Sequence, residues 1–332
     1  MHRFELDRSS GAMVELGVAT DIQSPSFLAL GPERATLYAV AELDEIGAAV
    51  AGFAIEGDGA GLVPTGAQPT NRSAPCYVRL APSGRALLVA NYSGGAVAAF
   101  PLDESGRLEP MSCEIQHEGS SVNPERQREP HPHSIVPTPD GGYALVPDLG
   151  TDRVVVYRLE DGGRRLVRHG DAAATPGAGP RHLSFHPDGR HAFVSNELDS
   201  TISAYAWSAD GGELEHVRSV STLPTSFRDE NYPADVHVHP SGRYVYLSNR
   251  GHDSIAGFSI DGSGHLEPIG REPTQGRWPR NFTIDASGTL LLAANQGSDT
   301  IVAFSIDTAT GALTPTGATT AVGAPTCVQI VE

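Results

Sequence analysis

Residues 179–205, GPRHLSFHPDGRHAFVSNELDSTISAY, contain one complete copy of a unit that recurs along the 332-residue chain. A short apolar run meets a Pro-Asp-Gly turn, a second run follows, and polar Asn-Glu-Leu-Asp-Ser leads into a third. Short, near-alternating apolar runs between turn residues are typical of antiparallel strands. The polar ends of these strands also hold Arg181, His182 and Glu197, so fold and chemistry meet in one segment.

The unit repeats along the chain, and each copy starts with a proline. Successive prolines are 46 to 57 residues apart: Pro25, Pro75, Pro132, Pro180, Pro233, Pro279 and Pro325. The first turn recurs as GPERA, APSGR, TPDGG, HPDGR, HPSGR and DASGT, and a third strand as VAAF, VVVYRL, ISAYAW, IAGFSI and IVAFSI. A weaker fourth strand recurs as LEPM, LVRHG, LEHVRSV, LEPIG and LTPTG. Four strands per unit of this length predict an all-β, seven-bladed β-propeller that forms a single domain over residues 1–332.

The two ends of the chain predict how the propeller ring closes. Residues 325–331, PTCVQIV, supply a first strand, and residues 2–18 supply a third and a fourth strand. We expect these N- and C-terminal strands to share one blade and to close the ring without a covalent bond. Because this blade lacks a second strand, we expect it to have three strands and the N-terminus to start a few residues late.

The charge of the chain limits its ligands. The chain has no lysine, so its 23 basic residues are all arginines, and 40 acidic residues give a formal net charge of −17. The negative electrostatic field of such a chain repels phosphate groups, which argues against non-specific binding to nucleic acid or anionic membranes. A phosphate or carboxylate ligand therefore needs a local cluster of arginines.

The cysteines and the apolar runs indicate the cellular compartment of the protein. Cys76, Cys113 and Cys327 are far apart in the sequence without a CxxC motif, which predicts neither a disulfide framework nor a zinc site. The sequence has no apolar N-terminal leader and no run long enough to span a bilayer. We expect a cytoplasmic protein that is a monomer or weak dimer and has no membrane or nucleic-acid partner.

Strand direction predicts one polar mouth. In an up-and-down blade, first strands begin at the rim where second strands end. That rim is predicted to gather His131, His133, Arg181, His182, Asp235, Arg280 and Asn281 from first strands, and Asn91, Asp148, Glu197, Arg250 and Gln296 from the ends of second strands. Two long connections, 112–130 and 221–232, reach the same rim, and whether they act as a lid is open. Convergent polar groups in a pocket are typical of a ligand site.

Several of these residue types have structural explanations. His186 and His239 are predicted to serve turns, and Asp152, Asp199, Asp253 and Asp299 to bind loop backbone. Asn91, Asn249 and Asn295 could do the same, and Arg181, Glu197 and Arg250 could form a structural ion-pair network. The HxH of His131 and His133 is by itself a weak metal signal. No further ligand cluster completes it, so no metal is predicted. Nucleophile-elbow, P-loop and dinucleotide motifs are lacking, which argues against a serine esterase mechanism and a nucleotide cofactor, and no cofactor is predicted.

The motifs resemble the lactonase family of seven-bladed propellers, which includes cycloisomerase-like bacterial 6-phosphogluconolactonases and fungal carboxy-cis,cis-muconate cyclases. The matching stretches are PHPHS (130–134), PDLGTDRVVVY (147–157), GPRHLSFHPDGR (179–190), SNELDSTISAY (195–205), HPSGRYVYLSNRGHDSIAGF (239–258) and WPRNFTIDASGTLLLAANQGSDTIVAFSID (278–307). They span at least five of the seven blades, and only the N-terminus departs from the family pattern. The resemblance implies a metal-independent enzyme with catalytic or binding roles for His133, Arg181, Glu197 and Arg250.

The resulting hypothesis is hydrolysis of a phosphorylated or carboxylated lactone, foremost 6-phosphogluconolactone. Glu197 or His133 would take the proton of water, Arg181 with Arg280 would stabilise the oxyanion, and Arg250 would hold the anionic group. His131, His182, Asn91, Asp148 and Gln296 complete the predicted binding residues. Two alternatives stay open: a muconate-type cycloisomerase or lactonising enzyme with the same residues, and a non-enzymatic propeller scaffold.

Overall fold

The computed structural model describes residues 1–31, 35–44, 46–57 and 61–331. Residues 32–34 of the predicted GPERA turn therefore lie outside the described residues. Within the described ranges, a two-stranded hairpin is followed by six four-stranded antiparallel sheets, each an uninterrupted meander of consecutive strands. This is the predicted blade pattern.

The strands have the following bounds. The hairpin is β1 His2–Leu6 and β2 Met13–Val18. The next three sheets are β3 Pro25–Leu30, β4 Thr36–Ala41, β5 Ala49–Glu56 and β6 Gly61–Pro69; β7 Pro75–Leu80, β8 Ala86–Asn91, β9 Ala96–Pro101 and β10 Cys113–Gln116; and β11 Val136–Pro137, β12 Tyr143–Asp148, β13 Arg153–Glu160 and β14 Arg165–Ala173. The last three are β15 Pro180–Phe185, β16 His191–Asn196, β17 Thr201–Ser208 and β18 Glu213–Ser221; β19 Tyr232–Val238, β20 Tyr244–Arg250, β21 Ser254–Ile260 and β22 Leu266–Pro273; and β23 Pro279–Ile284, β24 Leu290–Asn295, β25 Thr300–Ile306 and β26 Leu313–Ala321. Single 3₁₀ turns lie at Asp161–Gly163 and Gln296–Ser298.

The chain divides into two compact units. Unit 1 comprises residues 1–3, 16–179 and 208–214, and unit 2 comprises residues 4–15, 180–207 and 215–332. The prediction of a single domain stays a prediction. No helix within the described ranges is long and apolar enough to cross a membrane.

Burial along the strands follows their place in each sheet. All six residues of β8 and all six of β9 are buried, whereas β18 alternates between exposed and partly buried residues. A second or third strand has apolar neighbours on both faces, and a fourth strand is a sheet edge that meets water on one face. This explains why the first three strands of the repeat are easy to read in the sequence and the fourth is weak.

In unit 2, apolar side chains of adjacent sheets pack together. One cluster joins Phe193 and Ile202 to Val245, Leu247 and Phe258. A second cluster joins the β19–β22 sheet to the β23–β26 sheet and contains Tyr246, Ile255, Phe282, Leu291, Val302 and Phe304. This packing holds the beginnings of β15, β19 and β23 in fixed relation, and these beginnings carry the polar residues described below.

Three sequence expectations need correction. The fourth strand predicted at LEPM, 108–111, is β10 Cys113–Gln116 instead, and Leu108 forms only an isolated bridge with Leu102. The first strand predicted from Pro132 is limited to Val136–Pro137, because prolines 130 and 132 lack the N–H groups that a sheet ladder needs. Residues 325–331, predicted as a strand, carry no strand assignment.

Candidate active site

A register shift recurs at the start of the first strands. In unit 2 the ladder is irregular between Pro180 and Leu183, between Pro233 and Val236, and between Pro279 and Asn281. The proline has no N–H for the ladder, and the extra residues form a bulge that turns side chains out of the regular alternation. The bulges hold Arg181 with His182, Ala234 with Asp235, and Arg280.

Glu197 lies between two arginines. Its Oε2 is 3.0 Å from Nε of Arg181 and 2.7 Å from Nη2 of Arg250. All three residues are almost fully buried. Arg181 also donates from Nη1 to the carbonyl oxygen of Ala234 at 2.8 Å, and Arg250 donates from Nε to that of Tyr232 at 2.9 Å. The two guanidinium groups are thus oriented by both the carboxylate and the backbone.

The electrostatics of Arg181 reflect its crowded position. Burial, and then the nearby charges of Arg250 and Arg280, lower the pKa of Arg181 to about 9, although Glu197 opposes the shift. At neutral pH the guanidinium group is still protonated. The arginines Arg181, Arg250 and Arg280 face two buried carboxylates, Glu197 and Asp235, so one positive charge is in excess. In a chain of net charge −17, this is the local arginine cluster that an anionic ligand requires.

Asp235 is the centre of a second network, one bulge further along the chain. Its Oδ1 is 2.7 Å from Nδ1 of His182, and its Oδ2 is 2.9 Å from Nε2 of His237. Asn281 donates from Nδ2 to the same Oδ2 and accepts from the backbone N–H of Val328 at 2.8 Å. Asp235 therefore fixes two imidazole rings on opposite oxygens.

The two histidines of this network differ in environment. His182 is buried, and burial together with the charge of Arg181 lowers its pKa to about 4, so the ring is neutral at pH 7. Burial alone raises the pKa of Asp235, but the charges and hydrogen bonds of His237 and His182 hold that pKa well below its usual range. The side chain of His237 is 36% exposed, so this ring meets solvent while the carboxylate orients it from behind.

Unit 1 contains its own group of histidines. His131 stacks on Tyr92 with ring centroids 4.4 Å apart, and the edge of His133 meets the same ring at 5.0 Å. His133 is buried, with Nδ1 3.6 Å from Sγ of Cys76. Both predicted histidines thus lie against one tyrosine.

The hydrogen bonds of Asp148 hold neighbouring protein segments together. Its Oδ1 accepts backbone N–H groups of His131, Gly150 and Thr151, and its Oδ2 is 2.6 Å from Nδ1 of His117. Nε2 of His117 in turn is 2.8 Å from the hydroxyl of Tyr157, whose pKa burial raises. Because both carboxylate oxygens bind protein groups, Asp148 holds the PHPHS segment in place, and the direct ligand contact predicted for it has no support in these bonds.

The other predicted binding residues are placed as follows. Asn91 is buried and donates to the carbonyl oxygen of Ala96 at 3.3 Å, the loop-backbone role that the sequence left open. Arg280 is partly buried and close enough to influence the pKa of Arg181. Gln296 begins a 3₁₀ turn and donates its N–H to the carbonyl oxygen of Trp278 at 3.0 Å.

Unit 2 therefore brings together six residues of the predicted rim in two networks: Arg181, Glu197 and Arg250, and His182, Asp235 and Asn281. The sequence analysis missed His237 and Trp278. Asp235 and His237 are two residues apart on one strand and therefore lie on one face, so this spacing could have identified His237. Trp278 precedes the repeat proline, a position that carries a small residue in several other units.

The structural roles predicted for the repeated turn residues agree with the hydrogen bonds. Nε2 of His186 is 2.8 Å from the carbonyl oxygen of Gly242, and that of His239 is 2.8 Å from the carbonyl oxygen of Gly288. Asp152, Asp199, Asp253 and Asp299 each accept backbone N–H groups of nearby loops.

Among the described residues, one group has the composition of a metal site: His186, Asp188 and His191. Asp188 is bonded to both histidines, at 3.0 Å and 2.8 Å, and also accepts the backbone N–H of Arg190. His186 repeats the turn contacts of His239, whose Nδ1 meets Ser241 at 2.8 Å. Turn formation accounts for these contacts.

Comparison with known proteins extends over the whole chain. Residues 1–330 match the family described as "Lactonase, 7-bladed beta-propeller". A 6-phosphogluconolactonase of Bacillus subtilis is 35% identical over 285 residues, which cover 86% of this chain and 80% of that protein. A 6-phosphogluconolactonase of Formosa agariphila is 33% identical over 291 residues, covering 86% and 82%.

A solved structure is also similar. The periplasmic gluconolactonase of Pseudomonas aeruginosa superposes with a TM-score of 0.91 at 32% sequence identity, over 97% of this chain and 92% of that one. The predicted propeller architecture is thereby confirmed, with six four-stranded sheets among the described residues and seven blades in the family description.

Proposed function

This chain belongs to the lactonase family of 7-bladed β-propellers, and from that membership we propose that it hydrolyses a sugar-acid lactone, foremost 6-phosphogluconolactone. The observation that carries the proposal is the buried Glu197, which orients Arg181 and Arg250 through a single carboxylate oxygen. A lactone hydrolase needs fixed positive donors for an oxyanion and for an anionic substrate group. This arrangement supplies both.

The chemistry assigned to the arginines follows from the charges of the reaction. Water attacks the ester carbonyl of the lactone, and negative charge develops on the carbonyl oxygen. A guanidinium group held in a dehydrated site stabilises that charge without reorganising. We assign this role to Arg181, while Arg250 and Arg280 hold the phosphate or carboxylate of the substrate by paired hydrogen bonds.

The proton of the attacking water needs a base. Glu197 carries two guanidinium partners on Oε2, which favour its ionised form and so make it a weak base. His237 is better suited, since Asp235 holds Nε2 at 2.9 Å and the ring is partly exposed. The base then returns its proton to the ring oxygen as the carbon–oxygen bond breaks, which gives the open acid.

His133 stays a predicted catalytic residue. Its place in unit 1, edge-on to Tyr92 and near Cys76, supports a fixed orientation of the ring. The substitutions His133→Asn and His237→Asn separate the two candidate bases, because only the loss of the base removes the acidic limb of the pH–rate profile of kcat/KM.

The way the propeller closes is also a proposal. We infer that the seventh blade combines β1 and β2 with the C-terminal segment 325–331. In support, Phe4 and Met13 of the hairpin and Val328 of the C-terminal segment pack on one apolar cluster of the β23–β26 sheet. The cytoplasmic location and the monomeric or weakly dimeric state stay predictions.

The test is the rate of acid release from freshly prepared 6-phosphoglucono-δ-lactone, corrected for spontaneous hydrolysis. We expect acceleration by the wild-type protein and a smaller effect on glucono-δ-lactone, which lacks the phosphate. If neither lactone is hydrolysed faster, the proposal fails. Conversion of a carboxylated muconate would then favour the cycloisomerase alternative.

A further inference from the structure

Trp278 is unusual in its backbone and its exposure. It has φ +61° and a relative exposure of 37%. A left-handed conformation is unfavourable for a non-glycine residue, and bulky side chains adopt it rarely. Such a position calls for an explanation.

The backbone conformation belongs to the repeat, and the side chain does not. The residue before the repeat proline also has positive φ at Ser24, Ala74, Gly179 and Ala324. All four are small, so a small residue is sufficient for the turn. The turn itself therefore does not explain the indole of Trp278.

Two backbone hydrogen bonds hold Trp278 in place. Its N–H donates to Oδ1 of Asp253 at 2.8 Å, and its carbonyl oxygen accepts the N–H of Gln296 at 3.0 Å. Asp253 itself is held at φ +54°. The backbone of Trp278 is thus held at both its N–H and its carbonyl group.

The indole lies over the arginine cluster. Its ring centroid is 5.6 Å from the guanidinium carbon of Arg250, whose Nη2 binds Glu197. The ring of Tyr232, which occupies the equivalent place before Pro233, is 6.0 Å away at an angle of 55°. Tyr232 is connected to the same arginine through its carbonyl oxygen. The indole therefore borders the guanidinium group that is assigned to the substrate anion, and a second aromatic ring lies beside the indole.

We propose that Trp278, with Tyr232 beside it, is the stacking surface for the carbon–hydrogen face of the substrate ring. A sugar lactone has hydroxyl groups at its edge and C–H bonds on its faces, and those C–H bonds match the negative face of an aromatic ring. With its anionic group on Arg250, such a ring extends over the adjacent indole. The surface selects anionic cyclic polyols, and this substrate class rests on the proposed lactonase function.

The fluorescence of the chain allows a direct test. The chain has two tryptophans, and the other, Trp207, is buried at 5% exposure against Phe185. The variant Trp207→Phe leaves the indole of Trp278 as the single reporter. We expect glucose 6-phosphate, a stable cyclic analogue that keeps both the sugar ring and the phosphate, to change its emission saturably, with half-saturation at the concentration that half-inhibits lactone hydrolysis.

The kinetic arm uses Trp278→Ala, Trp278→Phe and Trp207→Phe. Alanine occupies the equivalent left-handed position at residues 74 and 324, so Trp278→Ala should fold, which circular dichroism checks. Loss of the stacking surface should raise KM about tenfold with kcat within about twofold. Phenylalanine should restore most of the affinity, and Trp207→Phe should match the wild type.

The outcomes separate this inference from the proposed function. An active wild type whose Trp278→Ala variant keeps its KM and its affinity for glucose 6-phosphate overturns the stacking surface and leaves the lactonase function intact. A wild type that does not hydrolyse the lactone overturns the function. If glucose 6-phosphate then also leaves the emission of Trp278 unchanged, the stacking surface is overturned as well.

Discussion

Glu197 is the residue on which the candidate site depends. Its buried carboxylate neutralises one of the two positive charges of its guanidinium partners and leaves the second positive charge for an anionic ligand. Either arginine can be removed without leaving the carboxylate unpaired, but removing the carboxylate leaves two buried cations close together. Arginine substitutions are therefore the cleaner probes of chemistry.

The first prediction concerns Arg181→Ala. Because Arg250 still binds Oε2 of Glu197 at 2.7 Å, the variant should fold, and the thermal midpoint checks this. Loss of the proposed oxyanion donor should lower kcat/KM for the lactone about 10²- to 10³-fold. Arg190→Ala is the matched control, since that side chain is 76% exposed, and it should behave as the wild type. A kcat/KM within threefold of the wild type in Arg181→Ala would remove this arginine from the mechanism.

The second prediction concerns pH and His182. Its pKa is lowered in the folded protein from 6.5 to about 4, so the unfolded chain binds more protons between those values. Stability is complete above pH 6.5 and falls as the pH drops toward 4, by at most about 1.4 kcal/mol per pH unit for this one group. Urea unfolding across pH 4 to 7 should show a flatter profile for His182→Asn than for the wild type. Parallel profiles would contradict the assignment.

At the scale of elements, the bulge after each repeat proline matters most. It takes Arg181 and Asp235 out of the regular ladder. In a regular strand, each residue and the one after it point to opposite faces of the sheet. The proline that marks the repeat in the sequence is thus also the physical cause of the bulge. The loops beside the site also approach one another closely, which restricts the side chains they can carry.

Gly251, directly after Arg250, provides the element-scale prediction. It has φ +116°, and a Cβ here would lie 2.2 Å from the carbonyl oxygen of Glu230, so the segment before β19 would have to move. Gly251→Ala should destabilise the fold by about 1–3 kcal/mol and weaken lactone binding, because Tyr232 and Arg250 are bonded to each other. Gly262→Ala, with nothing within 4 Å of the added Cβ, is the control and should be neutral in urea unfolding. Equal stability of the two variants would refute the close approach.

At the scale of the whole molecule, the proposed seventh blade can be tested through its apolar contacts. Phe4 and Val328 pack on the cluster formed by Leu290, Leu292 and Ile301. Phe4→Ala should lower the free energy of unfolding by about 2 kcal/mol, less than for a fully buried phenylalanine because Phe4 is only partly buried. Val14→Ala, on the same hairpin but 65% exposed, should have little effect. Deleting residues 325–331 should destabilise the protein further, and an unchanged thermal midpoint would exclude a shared blade.

Much of this organisation could be read from local patterns. The repeat prolines, the turns and the buried second and third strands follow from short-range chemistry, and they predicted the propeller. The fourth strand at β10 and the truncated first strand at β11 could not be read, because edge strands lack a full apolar pattern and prolines remove ladder donors. The coarse site could be predicted as well, since strand direction places Arg181, Glu197 and Arg250 at one end of their sheets.

By itself, the sequence determined the all-β repeat, the family and the set of polar residues at the strand ends, since all of these depend on residue order and periodicity. Only the tertiary structure decided which of those residues bind one another. The sharing of one oxygen of Glu197 by two arginines, the attachment of His182 to Asp235, and the indole over Arg250 each join residues of different strands or loops. The physical reason is that bulge geometry and side-chain packing set these contacts at a resolution of ångströms, which no pattern along a single strand records.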